Sequence, residues 1–414
     1  MTELDAAKPA VQSRRQFLNA AGRAGIAAWI GGHARVTLAD ETVTMPFENG
    51  ERILATFPQK RPLILLTSRP PQLETPFAVF NDGILTPNDA FFVRYHLPQV
   101  PTSIDPDLFT LAVAGKVATP LKLTLKDLRN QFEVVEVVAV NQCSGNGRGF
   151  SNPRVPGGQM GNGAMGNARW KGARLKDVLS KAQPAAGAKQ ATFRGLDKPA
   201  SEKTPEFVKA LELDHALDGE ILLAYEMNGQ PLPMLNGFPL RLVVPGYYGT
   251  YWVKHLSEIQ IVDELFAGYW MDPAYRIPDN AGACIEPGAA TVKTRPISRL
   301  NVRSFITSLA DNSNLTVDRE VTVRGIAFDG GYGVAEVLFS EDAGRTWRAA
   351  QLGRDLGKYS FREWTVSFRP HLAGKYELKV KAINRLGQSQ PMEPLWNPAG
   401  YMRNVVETVR VNVG

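Results

Sequence analysis

A change in the pattern of polar and apolar residues near residue 290 constrains the fold of this chain more than any other feature. After that point, segments such as 364–368 and 376–380 alternate polar and apolar side chains. Such alternation indicates strands with one buried face, and turn sequences such as Asp-Ala-Gly at 342–344 separate them. Residues 291–414 are therefore predicted to form an all-β sandwich of immunoglobulin-like type, with a structural role.

Residues 40–290 have a different sequence pattern, in which signals for helices and for strands are mixed. Thr124 and Asp127 have the spacing of a capping box, which predicts a short helix that runs to about residue 132. Residues 133–140 are β-branched and mostly apolar, which predicts a buried strand. The Pro- and Thr-rich residues 40–75 are predicted to be connecting chain on the surface. The fold class is therefore predicted to be α+β, with a mixed α/β domain over 40–290 followed by the all-β sandwich.

The first 39 residues have the features of an export leader. The sequence Ser-Arg-Arg-Gln-Phe-Leu at 13–18 resembles a twin-arginine signal. A mildly apolar segment follows at 20–32, and the small residues at 37–39 fit a cleavage site. Residues 1–39 are therefore predicted to be removed when the folded protein is exported to the periplasm. No stretch of about 18 uncharged apolar residues occurs, so no membrane span is predicted.

Charge and motif content exclude several classes of function. The net charge of +6 is small for 414 residues and is scattered along the chain, so nucleic acid is not expected as a partner. The chain contains no HExxH zinc motif, no GxSxG nucleophile elbow and no Walker phosphate-binding loop. It also lacks the CxxCH motif, so it attaches no c-type haem itself.

Cys143 is the residue most suited to chemistry, because it is one of only two cysteines and lies just after the predicted strand. A thiolate is a soft, strongly donating ligand that suits a transition metal in a redox site. With one thiolate available, a cofactor that brings its own sulfurs would supply other ligands. Arg94 and Arg148 add guanidinium groups, which bind oxyanions through paired hydrogen bonds. Cys284 has no chemically active neighbours in sequence and is interpreted as a structural thiol.

Several segments, in order along the chain, resemble the sulfite oxidase family of molybdopterin enzymes. The sequence Phe-Val-Arg-Tyr-His-Leu-Pro at 92–98 looks like the F-x-R-x-H-x-P segment of that family. The sequence Asn-Gln-Cys-Ser-Gly-Asn-Gly-Arg at 141–148 is similar to its molybdenum-ligand segment. Further matching segments are 168–175, 223–233, 236–241, 244–246 and, in the predicted sandwich, 342–347. The resemblance therefore covers both predicted domains, from about residue 90 to about residue 410.

The resemblance implies a molybdenum site and the residues that form it. Cys143 would be the single protein thiolate on molybdenum, beside the sulfurs of molybdopterin. Tyr275 would lie in the substrate pocket, with Tyr269 as a competitor for that position. The full implied set is Arg94, Arg148, Trp170 and Tyr275 in the substrate pocket, His96, Arg241 and Lys254 around the pterin and its phosphate, and Cys143 on the metal.

Three departures from the family pattern bear on the pocket. Asn236 stands where animal members have a histidine. Residues 151–166 form a longer segment than in the animal forms, and the third basic residue of the animal pocket has no counterpart near 396–399. The pocket is therefore expected to differ in shape and charge from that of the animal enzymes.

The function implied by the resemblance is that of a periplasmic sulfite dehydrogenase, which oxidises sulfite to sulfate at its molybdenum centre. Because the chain carries no haem motif, a separate c-type cytochrome is expected to accept the electrons. A homodimer is expected by analogy with the family. Two alternatives stay open. One is a molybdopterin-dependent reductase of sulfoxide or nitrate, since fold and metal do not fix the reaction. The other is a non-catalytic exported binding protein that uses the sandwich as an interaction module.

Overall fold

The computed structural model describes residues 36–290 and 292–414. The predicted leader lies outside the described residues except for 36–39, and residues 37–39, predicted as the cleavage site, begin the first strand. Within the part of the chain that is described, none of the helices has the length and apolar character that crossing a bilayer would require.

Residues 37–94 contain a five-stranded antiparallel sheet whose strands follow one another in chain order. The prediction that residues 40–75 are connecting surface chain is therefore wrong. Phe57, Leu63 and Tyr95 are buried in a small core that belongs to this sheet. The strands are β1 (Thr37–Thr44), β2 (Glu51–Thr56), β3 (Leu63–Ser68), β4 (Pro71–Glu74) and β5 (Val93–Arg94). Strands β4 and β5 have only 4 and 2 residues, so few positions there carry the alternation by which a strand is recognised in sequence.

The central part of the chain forms two further sheets around the largest hydrophobic core. Its strands are β6 (Thr110–Gly115), β7 (Leu121–Thr124), β8 (Val134–Gln142), β9 (Met165–Arg174), β10 (Gln190–Gly195), β11 (Val208–Glu212), β12 (Leu222–Met227), β13 (Gln230–Pro231), β14 (Arg241–Val243), β15 (Leu256–Val262), β16 (Arg276–Pro278) and β17 (Thr294–Pro296). Its helices are α1 (Leu125–Asn130), α2 (Leu175–Ala182) and α3 (Leu213–Ala216).

The two central sheets differ in strand order. One has the order β11-β10-β15-β6-β7, in which β15 and β6 are parallel and the other pairs are antiparallel. The other has the order β13-β12-β9-β8, with β14 also paired to β12, and is antiparallel throughout. Strands β16 and β17 pair separately as a short ribbon.

Two local predictions in this region are confirmed. Thr124 and Asp127 form a reciprocal capping box, in which the backbone N–H of Asp127 donates to the Thr124 hydroxyl at 3.1 Å and that of Thr124 donates to the Asp127 carboxylate at 2.9 Å. The helix that follows, α1, ends at Asn130 rather than near residue 132. The predicted strand is β8, and it extends to Gln142, so Cys143 is the first residue beyond it.

The C-terminal part of the chain is the predicted all-β sandwich. Its strands are β18 (Arg303–Ile306), β19 (Ser313–Leu315), β20 (Val321–Phe328), β21 (Val334–Ser340), β22 (Arg348–Ala349), β23 (Gln351–Leu352), β24 (Arg362–Phe368), β25 (Gly374–Asn384) and β26 (Glu407–Val413). They form two sheets, ordered β18-β20-β24-β23 and β19-β26-β25-β21-β22. Val323, Phe339 and Trp364 lie in the core between these sheets. The predicted fold class is confirmed, although the described α-helices are short.

The sandwich packs directly against the central domain near the end of β8. The backbone N–H of Val140 donates to the Tyr359 carbonyl at 2.9 Å, and the Asn167 side-chain amide donates to the Ser360 hydroxyl at 3.0 Å. Phe361 is buried in the same core as the central sheets. The C-terminal part of the chain is therefore in place to contact the residues that follow β8.

Leu63 tests whether the N-terminal sheet is an integral part of the domain. Leu63 is fully buried in the core of that sheet, whereas Ile53 on β2 is 36% exposed. Leu63→Ala should lower the free energy of unfolding by about 2–5 kcal/mol, because it removes buried apolar contacts and leaves a cavity. Ile53→Ala, the matched control, should cost about 1 kcal/mol or less. Denaturant unfolding measures both, and equal small effects would show that the sheet adds little to stability.

Candidate active site

Six of the predicted site residues line a single cleft in the central domain. The cleft opens where the end of β8, the chain after β5 and the segment after β14 meet. The six residues are Arg94, His96, Cys143, Arg241, Lys254 and Tyr275. The other two predicted residues, Arg148 and Trp170, are not among the residues that line the cleft: Trp170 packs against the lining residues Phe91, Trp252 and Arg241, and Arg148 lies over the ring of Tyr401. Side chains far apart in sequence are thus brought together at one place.

The backbone around Cys143 fixes the thiol at the cleft. The Cys143 N–H donates to the Ala164 carbonyl at 2.9 Å, and the Cys143 carbonyl accepts from Asn146 N–H at 3.0 Å. Gly147 has φ 86°, a left-handed conformation that glycine adopts without strain. Cys143 is 8% exposed and lines the cleft, so this turn holds the residue at the cleft wall. Cys284 is also a free thiol and is partly exposed.

Arg148 is held beside the cleft by backbone oxygens and by an aromatic ring. Its Nε donates to the Ala399 carbonyl at 2.8 Å, and one terminal nitrogen donates to the Gly158 carbonyl at 3.3 Å. Its guanidinium carbon lies 5.0 Å from the centre of the Tyr401 ring. A Cβ at Gly145 would lie only 2.6 Å from that carbon, so glycine is needed there for the guanidinium to approach the turn.

His96 and Tyr275 form a hydrogen-bonded pair through His96 Nε2 and the Tyr275 hydroxyl. Burial lowers the pKa of His96 well below its usual range, and the neighbouring charge of Arg94 adds to this effect, so the imidazole is neutral. Burial also raises the pKa of Tyr275 above its usual value, so the phenol is protonated. Tyr269 is 47% exposed and is not among the residues that line the cleft. Of the two tyrosines, Tyr275 is the one that lines the cleft.

One wall of the cleft is formed by Arg241 and Lys254, and both cations donate hydrogen bonds to neutral carbonyl oxygens. One Arg241 nitrogen donates to the Asn236 carbonyl at 2.9 Å, and Lys254 Nζ donates to the Arg94 carbonyl at 2.7 Å. Burial lowers the pKa of Arg241 to about 9 and also lowers the pKa of Lys254. The carboxylate of Asp197 interacts with Lys254, but none of the described residues gives Arg241 a carboxylate partner, and burying a cation without one is costly. The wall is therefore suited to bind an anion such as a phosphate.

Several polar atoms in this region are buried and have no hydrogen-bond partner in the protein. They are Asn141 Oδ1, Ser144 Oγ, Arg241 Nε and Thr250 Oγ1, all on residues that line the cleft. Buried polar atoms in folded proteins are normally paired. These four atoms therefore fit a ligand that offers both donors and acceptors beside an anionic group.

Trp170 lies behind the cleft and does not line it. It is fully buried, and its indole N–H donates to the Ala139 carbonyl at 3.0 Å. Its ring centre is 4.7 Å from the guanidinium carbon of Arg241, a cation–π distance. In the structure Trp170 thus supports the anion-binding wall.

Lys60, which the sequence analysis missed, supports the same wall from the N-terminal sheet. Its Nζ donates to the carbonyls of Asn88 and Phe91 at 2.6 and 2.9 Å and to Asn236 Oδ1 at 2.5 Å. The adjacent Gln59 accepts a hydrogen bond from Met234 N–H at 2.9 Å. Burial lowers the pKa of Lys60 to about 7. No sequence signal marked this lysine, because its segment was interpreted as surface chain.

Tyr401 and Lys209 were also missed. The Tyr401 ring stacks on Tyr275 with 5.3 Å between ring centres and 7° between planes. The next residue, Met402, donates its N–H to the Ser144 carbonyl at 3.1 Å, so the C-terminal part of the chain completes the cleft.

Lys209 shares one face of β11 with Leu211 and is fully buried. A lysine on the apolar face of a strand was the signal that could have found it.

Comparison with known proteins places the chain in a defined class. Residues 96–270 match the family described as "Oxidoreductase molybdopterin binding domain", and residues 294–414 match "Mo-co oxidoreductase dimerisation domain". Mitochondrial sulfite oxidase of Homo sapiens is 35% identical over 374 residues, which cover 86% of this chain and 67% of that protein. Nitrate reductase of Hordeum vulgare is 30% identical over 376 residues, covering 85% of this chain and 42% of that protein.

A solved structure shares the fold. The crystal structure of the sulfane dehydrogenase SoxCD from Paracoccus pantotrophus superposes with a TM-score of 0.71 and 22% identity, covering 83% of this chain and 84% of that chain. Fold and sequence matches together define a molybdopterin-binding oxidoreductase. Within that class, the chain belongs to the sulfite oxidase family. Its cofactor is molybdopterin with molybdenum.

The residues at the cleft fit this cofactor. The unpaired atoms of Asn141, Ser144 and Thr250 would bond to the polar edges of a pterin, and the cations Arg241 and Lys254 would hold its phosphate. Cys143 lies in the same cleft and would supply the thiolate ligand to the metal.

Lys60 tests the support of the phosphate-binding wall. Lys60→Met should weaken cofactor retention by about 10- to 100-fold, because partners that orient direct ligands contribute on that scale. The matched control is Lys122→Met, at an exposed lysine on β7. Molybdenum and pterin content after prolonged dialysis measures retention. If Lys60→Met keeps its cofactor as well as the control, the lysine does not support the site.

Proposed function

We propose that this protein is a sulfite dehydrogenase, which oxidises sulfite to sulfate and passes the electrons to a separate c-type cytochrome. The observation that carries the proposal is that Arg94 and Tyr275 line the same cleft as Cys143, while Arg148 lies beside the cleft over the Tyr401 ring, which stacks on Tyr275. Guanidinium groups bind oxyanions through paired hydrogen bonds, and they act more strongly where water is excluded. Membership of the sulfite oxidase family supports the choice of sulfite.

The residues of the cleft have distinct tasks in this reaction. Bound molybdenum supplies two-electron oxygen-atom chemistry, and water is the ultimate source of the oxygen, so each turnover releases two protons and two electrons. Arg94 and Arg148 offset the negative charge of sulfite and of sulfate. In the His96 tautomer whose Nε2–H donates to the Tyr275 oxygen, the protonated phenol is free to donate its own hydrogen to the oxyanion or to water. His96 fixes the orientation of the phenol.

We further propose that the protein works in the periplasm as a homodimer. The twin-arginine sequence at 13–18 supports export of the folded protein. The match of residues 294–414 to a dimerisation domain supports association of two copies through the sandwich. In this arrangement the cytochrome would dock where the cleft opens.

Reduction of nitrate is the second candidate. The similarity to Hordeum vulgare nitrate reductase favours it, and a pair of arginines binds nitrate as readily as sulfite. Measuring turnover of sulfite and of nitrate in separate assays distinguishes the two functions.

Sulfite-dependent reduction of ferricyanide, and then of cytochrome c, tests the proposed function. The protein should contain about one molybdenum per chain, and rapid reduction of both acceptors is expected. Cys143→Ser should abolish the activity because it removes the thiolate ligand, whereas Cys284→Ser should leave it unchanged. Absence of sulfite turnover in metal-loaded protein would reject sulfite as the substrate and favour the reductase.

Arg148 tests the proposed oxyanion pocket. Arg148→Gln should raise KM for sulfite by about 10- to 100-fold, because hydrogen bonds to a charged group contribute about 1.5–3 kcal/mol. Arg154→Gln, which changes an exposed arginine of the same loop, is the matched control. Steady-state kinetics with both variants measures the effect. A KM equal to that of the control would remove Arg148 from the pocket.

A further inference from the structure

Lys209 is a buried cation next to the cleft that none of the roles described so far uses. It lies on β11 and is fully buried. Its Nζ donates to the Trp270 carbonyl at 2.6 Å. The same nitrogen lies 4.6 Å from the centre of the Tyr251 ring and 4.9 Å from that of Tyr275. The ammonium is therefore held by one carbonyl and by the faces of two aromatic rings.

A purely structural explanation accounts poorly for a lysine at this position. Leu211 occupies the same face of β11 and the buried Phe207 directly precedes the strand, and an apolar residue at 209 would fill the space without the cost of burying a charge. Because burial disfavours the charged form, it lowers the pKa of Lys209 to about 7. A negatively charged group bound nearby would favour the protonated form and offset the cost.

Lys209 is connected to the cleft through Tyr275. The Tyr275 hydroxyl bonds to His96 Nε2, and the Tyr275 ring stacks on Tyr401. Tyr401 in turn lies under the guanidinium of Arg148, at 5.0 Å. Two cations, Lys209 and Arg148, therefore contact a stacked pair of tyrosines. A cation over the face of a tyrosine is attracted to the ring and restricts its position, and its charge makes the phenol a better hydrogen-bond donor.

We propose that Lys209 is a positioning residue of the oxyanion pocket, which holds the Tyr275 ring and adds a positive charge behind it. Lys209 does not touch the substrate, and it acts through the orientation and polarity of the Tyr275 hydroxyl. The kinetic part of this inference rests on the proposed oxidation of sulfite. The binding part applies to any tetrahedral oxyanion, including sulfate.

The test compares Lys209→Met, which removes the charge, with Lys209→Arg, which keeps it. The matched control is Lys181→Met, because Lys181 also lies over an aromatic ring, Phe132 at 5.5 Å, but on the protein surface. Sulfate binding to the oxidised holoprotein, followed by its absorption spectrum, is measured first. Molybdenum content and thermal stability are measured on each protein.

Lys209→Met should bind sulfate about tenfold more weakly than the wild type and should raise KM for sulfite by a similar factor, with kcat changed less than about threefold. Lys209→Arg should recover most of the affinity, and Lys181→Met should match the wild type. If Lys209 only stabilised the fold, Lys209→Met would lower the thermal stability of the protein, and KM would not rise while kcat stayed nearly unchanged. Because sulfate binding needs no turnover, it is informative even if sulfite is not the substrate.

Lys209→Met with full cofactor content and unchanged sulfate affinity would overturn the proposal. If that variant does not retain cofactor, Lys209→Gln, whose amide can still donate to the Trp270 carbonyl, is measured in the same way. If neither neutral variant retains cofactor, Lys209 serves the cofactor site itself, and the proposal is overturned as well.

Discussion

Buried positive charge is the constraint on which the rest of the site depends. Arg241, Lys60 and Lys209 are buried and Lys254 is partly exposed, and the hydrogen bonds of all four go to carbonyl or amide oxygens. Such groups are costly to bury, and backbone oxygens compensate only in part. The phosphate of the cofactor would supply negative charge here, and so would the oxyanion that is proposed as the substrate. The positive charges of the site are therefore balanced only when its anionic ligands are bound.

The sandwich contributes to the chemistry as well as to the architecture. The sequence analysis assigned it a structural role, since no cluster of reactive residues occurs in it. The structure adds Tyr401, which stacks on Tyr275, and the Ala399 carbonyl, which holds Arg148. Arg303, at the start of the sandwich, is fully buried and reaches Gln142, the residue before Cys143, at 3.5 Å. Movement of the sandwich relative to the central domain would disturb the cleft directly.

Sequence reasoning succeeded where a pattern was local and failed where a role depended on distant contacts. The strand before Cys143 and the capping box at Thr124 were predicted because a few adjacent residues define them. The residues implied by family resemblance converge on the cleft, although Trp170 lies behind it. The role of Lys60 could not be read from sequence, because its partner Asn236 is 176 residues away. Lys209 could have been found, since a charged side chain on a buried strand face violates the expected pattern.

The stacking of Tyr401 on Tyr275 has a consequence for how the protein is made. The cleft combines side chains from β5, from the turn after β8 and from a segment close to the C-terminus of the 414-residue chain. Contacts between such distant parts of a chain form slowly and only after both parts exist. Tyr401 must therefore leave the ribosome before it can stack on Tyr275 and complete this side of the cleft. A cofactor that enters the finished cleft is therefore expected to do so only after this part of the sandwich has been synthesised.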